Sequence, residues 1–496
     1  MDIRQKIGQM FMARGLRVYE DETWEMIRKG WIGNVHVRSQ MADSTEALRE
    51  AQAMAPHLLF IGADMEQGLC FPQFRGTRLG NLWQLGVIDD AELVYRFGTI
   101  IAREARAAGI NFNFGPVVDW ACDPANPLTC TRSFGPDREK LIRLAIPLVR
   151  AFQDNGVMAS AKHYPCGGRK DRDTHIDNCA VTCSEAELFA TDLDIYRQLI
   201  AKADLSAVMS GHTSVTAIDG DIPATLSRRH VQNLLDLGFQ GVLITDSLSM
   251  KGLSGEGTMR DVFRRALAAG NDIILGDYRR GPAEQFEYLY SAYVDGLISE
   301  AEIDEHVAKI LRWKEKCAAI VPPAPDFEEA ARVAEEIARR SIAVDPVVSI
   351  RPGETLFIVT RDRGRDEQIG AEVSFGEAAP LAPILEEVFP EAEVMVISEE
   401  PLPGEIERTL DKAESYKEIV FCGSALCGSY KGTADFSKRL LALIGGLRRR
   451  IRVFVTIGNP FAARELPPEI PFKVSCPGNA ESDLRALAAI LRARVR

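Results

Sequence analysis

Between residues 30 and about 275 the chain alternates short apolar runs with longer amphipathic stretches. The runs are Ile32 to Val37, Leu58 to Ala63, Ile110 to Val118, Val157 to Ala161, Leu205 to Ser210, Gly241 to Thr245 and Asp272 to Leu275. Most are apolar throughout, the pattern of parallel strands covered on both faces. Between them, Asp90 to Ala108, Glu139 to Asn155 and Ser184 to Ala203 carry a helical period. Repetition of strand and helix predicts an α/β fold, either a (β/α)8 TIM-like barrel or a doubly wound sheet.

The ends of the strands favour the barrel. Leu58 to Ala63 runs into Asp64, and Ile110 to Val118 into Asp119. Val157 to Ala161 runs into Lys162-His163, Leu205 to Ser210 into His212, and Gly241 to Thr245 into Asp246. Barrel strands converge at their C-terminal ends, where active sites are built.

A helix over Ser299 to Lys316 closes this region, and Val321-Pro322-Pro323-Ala324-Pro325 is a stiff linker. A helix over Phe327 to Arg340 follows. Strand patterns then recur at Thr355 to Thr360, Glu393 to Ile397, Glu418 to Cys422, Arg452 to Ile457 and Phe472 to Ser475, with helices at Phe436 to Leu447 and Glu481 to Leu491. The expected organisation is a barrel over 1–320, a linker and helix over 321–345, and a smaller αβα sandwich over 346–496.

Composition narrows the classes of function. The chain has 496 residues, 46% hydrophobic and 26% charged, an ordinary globular balance. A net charge of −12 gives no broad basic face for nucleic acid or anionic lipid. The arginine clusters Arg448 to Arg450 and Arg492 to Arg496 are local and read as solvated helix or tail. The polar start Met1 to Lys6 lacks the apolar core of a signal peptide, and no run of about 18 apolar residues occurs. Ten scattered cysteines without a CxxC pair read as reduced thiols of a cytoplasmic protein, and Cys179 with Cys183 lacks a second pair for a metal. The expected partner is a small molecule, not a nucleic acid or a membrane.

Two segments carry chemistry. The loop from Lys162 to Asp177 follows a buried strand and holds two of the seven histidines. Its Asp173 and His175 stand two residues apart, so the carboxylate can orient the imidazole and raise its basicity, giving a poised proton donor. The alternative is a salt-bridged surface loop. Asp246 comes directly after an apolar strand, where a carboxylate can attack an anomeric carbon, bind a metal or hold a hydroxyl. Retaining glycoside hydrolysis requires a nucleophile and a proton donor, and Asp246 with the Asp173–His175 pair supplies both.

Six motifs in order give the chain a family resemblance. They are Lys6-Ile7-Gly8-Gln9-Met10-Phe11, Ala63-Asp64-Met65-Glu66-Gln67-Gly68, Asn113-Phe114-Gly115-Pro116-Val117-Val118-Asp119 with Arg132-Ser133-Phe134-Gly135, Lys162-His163-Tyr164-Pro165 through Asp173-Thr174-His175, Pro223-Ala224-Thr225-Leu226-Ser227, and Ile244-Thr245-Asp246-Ser247-Leu248-Ser249-Met250. Over about the first 320 residues the chain resembles glycoside hydrolase family 3, nearest the bacterial β-N-acetylglucosaminidases. Ile457-Gly458-Asn459-Pro460-Phe461 extends the likeness to the second half. The resemblance implies Asp246 as nucleophile, His175 as general acid/base and Asp173 as its orienting partner. It further implies that Lys162, His163 and Arg132 hold sugar hydroxyls, that Asp64 binds the non-reducing end, and that His212 and Asp119 line the pocket. No metal or organic cofactor is implied.

The chain departs from the family pattern at two places. Where the family loop reads Pro-Gly-His-Gly, this chain has Pro165-Cys166-Gly167-Gly168; where it reads Glu-Gly-Gly, this chain has Glu66-Gln67-Gly68, followed by the unusual Leu69 to Arg75. Both surround the sugar pocket, so they bear on the substrate more than on the reaction. Cys166 reads as a bystander, because no histidine–carboxylate pair is left to activate it. Three further readings stand beside hydrolysis of N-acetylglucosaminides: a phosphorylase, a β-glucosidase or β-xylosidase, and a non-catalytic sugar-binding protein.

Overall fold

The computed structural model describes residues 1–38, 44–71, 73–344, 348–361 and 380–495. Pro72, the expected domain start at residue 346 and Arg496 of the terminal arginine cluster lie outside the described residues. The chain divides into two compact units, Met1–Thr77 with Asp89–Asp123 and Pro136–Ala330, and Arg78–Ile88 with Pro124–Gly135 and Ala331–Arg496.

In the first unit the strands are β1 (Phe11–Arg14), β2 (Asn34–His36), β3 (Phe60–Ala63), β4 (Phe112–Asn113), β5 (Met158–Tyr164), β6 (Cys179–Val181), β7 (Ala207–Ser210), β8 (Thr213–Val215), β9 (Val242–Thr245) and β10 (Ile274–Leu275). Eight of them form one parallel sheet in the order β10-β1-β2-β3-β4-β5-β7-β9. A parallel bridge between Ile244 and Ile273 brings the two edges together, so the sheet is a nearly closed barrel. The doubly wound alternative is thereby set aside: the order is cyclic and has no reversal point.

Three sequence expectations shift. β1 is a strand the apolar pattern did not separate, because four residues ending in Arg14 merge with the preceding helix Ile3–Gln9. The expected strand Ile110 to Val118 contracts to β4 with one bridge at Val117, since Pro116 has no N–H to offer a ladder. β5 runs on to Tyr164, so Lys162 and His163 stand on the strand and not beyond it.

The expected helix Ser184 to Ala203 is two helices, Glu185–Ala190 and Asp192–Ala203. Thr191 at the break turns its hydroxyl back to the Glu187 carbonyl at 2.7 Å. Arg169 anchors the loop after β5 there, donating to Asp192 Oδ2 at 2.7 Å, Glu187 Oε1 at 2.7 Å and Thr191 Oγ1 at 2.9 Å. A two-stranded parallel sheet of β6 and β8 ties this loop to the one after β7. Helix starts follow capping rules: Asp90 accepts from the Glu92 and Leu93 amides, and Ser299 with Glu302 forms a capping box.

The second unit holds the parallel strands β11 (Thr355–Arg361), β12 (Glu393–Ser398), β13 (Glu418–Ala425), β14 (Ile451–Gly458) and β15 (Phe472–Cys476), ordered β12-β11-β13-β14-β15. Alternate residues of β11 face opposite cores. Phe357 and Val359 pack with helices Leu381–Val388 and Glu481–Arg492, while Leu356 and Ile358 pack with helix Lys438–Leu447. Period-two alternation between two apolar layers makes this unit an αβα sandwich. None of the ten cysteines is paired in a disulfide, and no described helix is long and apolar enough to cross a membrane.

Candidate active site

The C-terminal ends of the barrel strands gather charge into linked clusters. Lys162 on β5 places its ammonium 2.7 Å from Asp64 Oδ1, after β3, and 2.9 Å from Glu66 Oε1. Burial opposes ionisation of Asp64, but the Lys162 charge outweighs it and holds the carboxyl well below the usual range. Glu66 is thus part of the cluster, whereas the sequence marks it only as a departure from the family pattern; its spacing of two residues from Asp64 is the available signal.

Asp119 receives the His163 backbone N–H at 2.9 Å and its Nδ1 at 2.7 Å. Burial works against the charge of Asp119, and His163 and Lys170 override it to lower the carboxyl's pKa. Gly167 abuts this carboxylate so closely that a Cβ would overlap it, and a Cβ on Gly168 would overlap the Trp120 backbone. A side chain at residue 167 would require the Asp119 carboxylate to move. Cys166 is buried, and burial pushes its thiol well up, keeping it protonated.

Asp173 accepts the His175 Nδ1 at 2.7 Å and its backbone N–H at 2.9 Å, so the pair forms within one turn. An Nδ1–H donor to the carboxylate leaves Nε2 as the working nitrogen of the imidazole. The Gly252 amide donates to the Thr174 carbonyl at 2.8 Å, holding this turn against the loop after β9.

Asp246 follows β9, its backbone N–H donating to the Ser210 carbonyl at 2.9 Å. Its Oδ1 accepts the Ser247 amide at 2.7 Å. Burial disfavours its charge, yet His163, His212, the Ser247 amide and His175 together hold the carboxyl far below the usual carboxylate range. His212 donates from Nε2 to the Ser247 carbonyl at 2.8 Å and lies 2.9 Å from Thr225 Oγ1 through Nδ1. Burial lowers its pKa against the opposing charge of Asp246.

Of the residues singled out in the sequence, Asp64 and Lys162, Asp119 and His163, and Asp173 and His175 thus stand in direct contact. Asp246 takes its electrostatic setting from His163, His212 and His175. Arg132 is buried in the Pro124–Gly135 segment of the second unit, in the short turn Cys130–Arg132. Two residues were missed altogether. Arg14 closes β1 and His36 closes β2, and both point into the same group of charges. Among the described residues no group of three or more His, Cys, Asp or Glu side chains is arranged to hold a metal ion.

Comparison with known proteins bears on this arrangement. The glycosyl hydrolase family 3 N terminal domain matches residues 2–313. A protein of Cellulomonas fimi named β-N-acetylglucosaminidase/β-glucosidase is 32% identical over 384 residues, 72% of this chain and 66% of that protein. A family 3 β-N-acetylglucosaminidase from Paenibacillus sp. str. FPU-7 superposes with a TM-score of 0.88 at 27% identity, covering 100% of this chain and 97% of that one. A β-glucoside phosphorylase shares the fold at 22% identity, with a TM-score of 0.82 over 100% of this chain and 92% of its own.

Proposed function

The chain belongs to glycosyl hydrolase family 3, and from that membership we propose that it is a retaining, exo-acting β-glycosidase. Its substrate on this reading is terminal N-acetylglucosamine on oligosaccharides or cell-wall fragments. The observation that carries the proposal is Asp246: a half-buried carboxylate at the end of β9 that accepts the Ser247 amide at 2.7 Å and is held ionised chiefly by His163, at the same end of the barrel as an Asp173–His175 pair 2.7 Å apart. The names of the Cellulomonas and Paenibacillus relatives support the choice of sugar.

Asp246 attacks the anomeric carbon and forms a glycosyl-enzyme as the bond to the leaving oxygen breaks. His175, oriented by Asp173, gives that oxygen a proton. It then takes a proton from water, which attacks the same carbon and releases Asp246. Two inversions return the starting configuration. Asp64, Lys162, His163 and Arg132 hold hydroxyls through charge-assisted hydrogen bonds, and Asp119 and His212 line the pocket. Catalysis is assigned to residues 1–320, joined through 321–345 to the sandwich of 346–496. The unpaired cysteines are consistent with a cytoplasmic setting.

The test is turnover of p-nitrophenyl β-N-acetylglucosaminide, β-glucoside and β-xyloside, each with and without inorganic phosphate. The expected result is fastest release from the acetamido sugar, with free sugar as product in both buffers. A strong glucoside preference overturns the choice of sugar. Accumulation of sugar 1-phosphate replaces hydrolysis with phosphorolysis, a reading open to an imidazole acid/base because it repels incoming phosphate less than a second carboxylate would.

A further inference from the structure

One guanidinium at the barrel mouth touches the surroundings of two carboxylates. Arg14 is 7% exposed; it donates from Nε to the Gly276 carbonyl at 2.6 Å, from Nη1 to His36 Nδ1 at 2.6 Å, and from Nη2 to the Ser247 hydroxyl. A guanidinium has donors and no acceptor, so His36 Nδ1 must accept, and the neutral ring carries its proton on Nε2. That Nε2 is sealed from solvent and without a hydrogen-bond partner, 3.6 Å from Asp64 Oδ2. A shift of roughly 0.6 Å brings this N–H to ordinary hydrogen-bond length. The other Asp64 oxygen is already held by Lys162 at 2.7 Å.

We propose that Arg14 is a positioning residue that sets Asp64 and Asp246 together. Through His36 it aims a fixed N–H at Asp64 Oδ2, and through the Ser247 side chain it steadies the residue whose amide binds Asp246 at 2.7 Å. The guanidinium spans the ends of β1, β2 and β9, so one side chain fixes the separation of the hydroxyl-binding carboxylate and the attacking one. Burial, followed by the Arg14 charge, lowers His36 to about 3, which keeps the ring neutral in the tautomer this role requires. The proposal rests on the reading of Asp64 and Asp246 given above, and it adds to that reading a residue that acts through His36 and Ser247.

The two arms are separable. His36→Phe removes only the donor to Asp64 and is expected to raise KM about tenfold with little change in kcat, whereas His36→Gln, which keeps an acceptor and a donor, recovers most of the loss. Ser247→Ala loosens only the Asp246 side and lowers kcat about tenfold. Arg14→Met does both. On monodeoxy p-nitrophenyl glycosides, the sugar position at which Asp64→Asn ceases to matter is also the position at which His36→Phe ceases to matter.

If His36→Gln is no better than His36→Phe, or if the His36 effect persists on the deoxy substrate that abolishes the Asp64 effect, the positioning role is wrong. Folded Arg14→Met with wild-type KM and kcat overturns it outright. Should Arg14→Met not fold, the His36 and Ser247 variants still decide each arm. Wild-type protein inert toward every glycoside overturns the functional reading, and this proposal with it; active wild type with unchanged variants overturns this proposal alone.

Discussion

Each end of the barrel holds a carboxylate among basic side chains, Asp272 fully buried and Asp246 half-buried, and the two are treated differently. At the N-terminal ends of the strands, Asp272 accepts His306 Nδ1 at 2.6 Å, Lys309 Nζ at 2.9 and 3.1 Å, and the Leu243 amide at 2.7 Å. Nearby, at the starts of β1 and β2, Lys314 is satisfied by Gln9 Oε1 at 2.8 Å and the Gly33 carbonyl at 2.7 Å. At the C-terminal ends, Asp246 accepts one hydrogen bond among the described residues, from the Ser247 amide, and is otherwise kept ionised chiefly by His163. Both carboxyls are lowered against the cost of burial, Asp272 chiefly by a direct bond from His306 and Asp246 chiefly by the charge of His163. A saturated carboxylate has no lone pair left for a substrate, so it staples. An ionised but unsaturated one is free to attack. Hydrogen-bond saturation and exposure, not the direction of the pKa shift, separate the structural site from the chemical one.

The comparison breaks most sharply under substitution. Asp246→Asn is expected to lower kcat by about 10⁴-fold or more while lowering the thermal midpoint only slightly, since the amide oxygen can still accept the Ser247 N–H and only the favourable charge is lost. Asp272→Ala is expected to do the reverse, costing about 3–5 kcal/mol in denaturant titrations while kcat/KM per folded molecule is retained. An Asp272 variant that is stable but inactive would erase the distinction.

Acid sharpens it further. The depressed pKa of Asp272 means that its staple contributes fully above the unfolded value, near pH 4, and is lost as pH falls through the lower folded value. Asp246 likewise stays ionised until pH drops below the ordinary carboxylate range, so the limb of kcat/KM that it controls lies below pH ~4. His163→Phe removes the largest of the charges that counter burial, so this limb should move to higher pH. Stability profiles of the Asp272 side should not move with it.

Much of this was legible in the sequence, for physical reasons that differ by element. Buried parallel strands leave apolar runs, so seven of the eight barrel strands could be read directly, and Asp64, Asp119, His212 and Asp246 followed from where the runs stopped. β1 was not, because a four-residue strand directly after a helix leaves no polarity boundary. The helix break at Thr191 was invisible because it depends on side-chain bonds to Arg169, more than twenty residues earlier. Asp173 and His175 were legible because their contact is local. Arg14 and His36 were not, since β1 meets β2 and the loop after β9 only when the barrel closes. Glu66 lay between these cases, two residues from a recognised carboxylate but bound to Lys162, which comes from a different strand.

The claim that Asp246 is the nucleophile is tested most directly by trapping it. Wild-type protein would be incubated with a slowly turned-over 5-fluoro β-N-acetylglucosaminyl fluoride, digested and mapped by mass spectrometry. The expected result is one added glycosyl unit on the peptide containing Asp246, with fragmentation assigning the ester to that carboxylate. A glycosyl unit carried by another carboxylate, or an active enzyme that accumulates no covalent adduct while inverting the configuration of its product, would contradict the account.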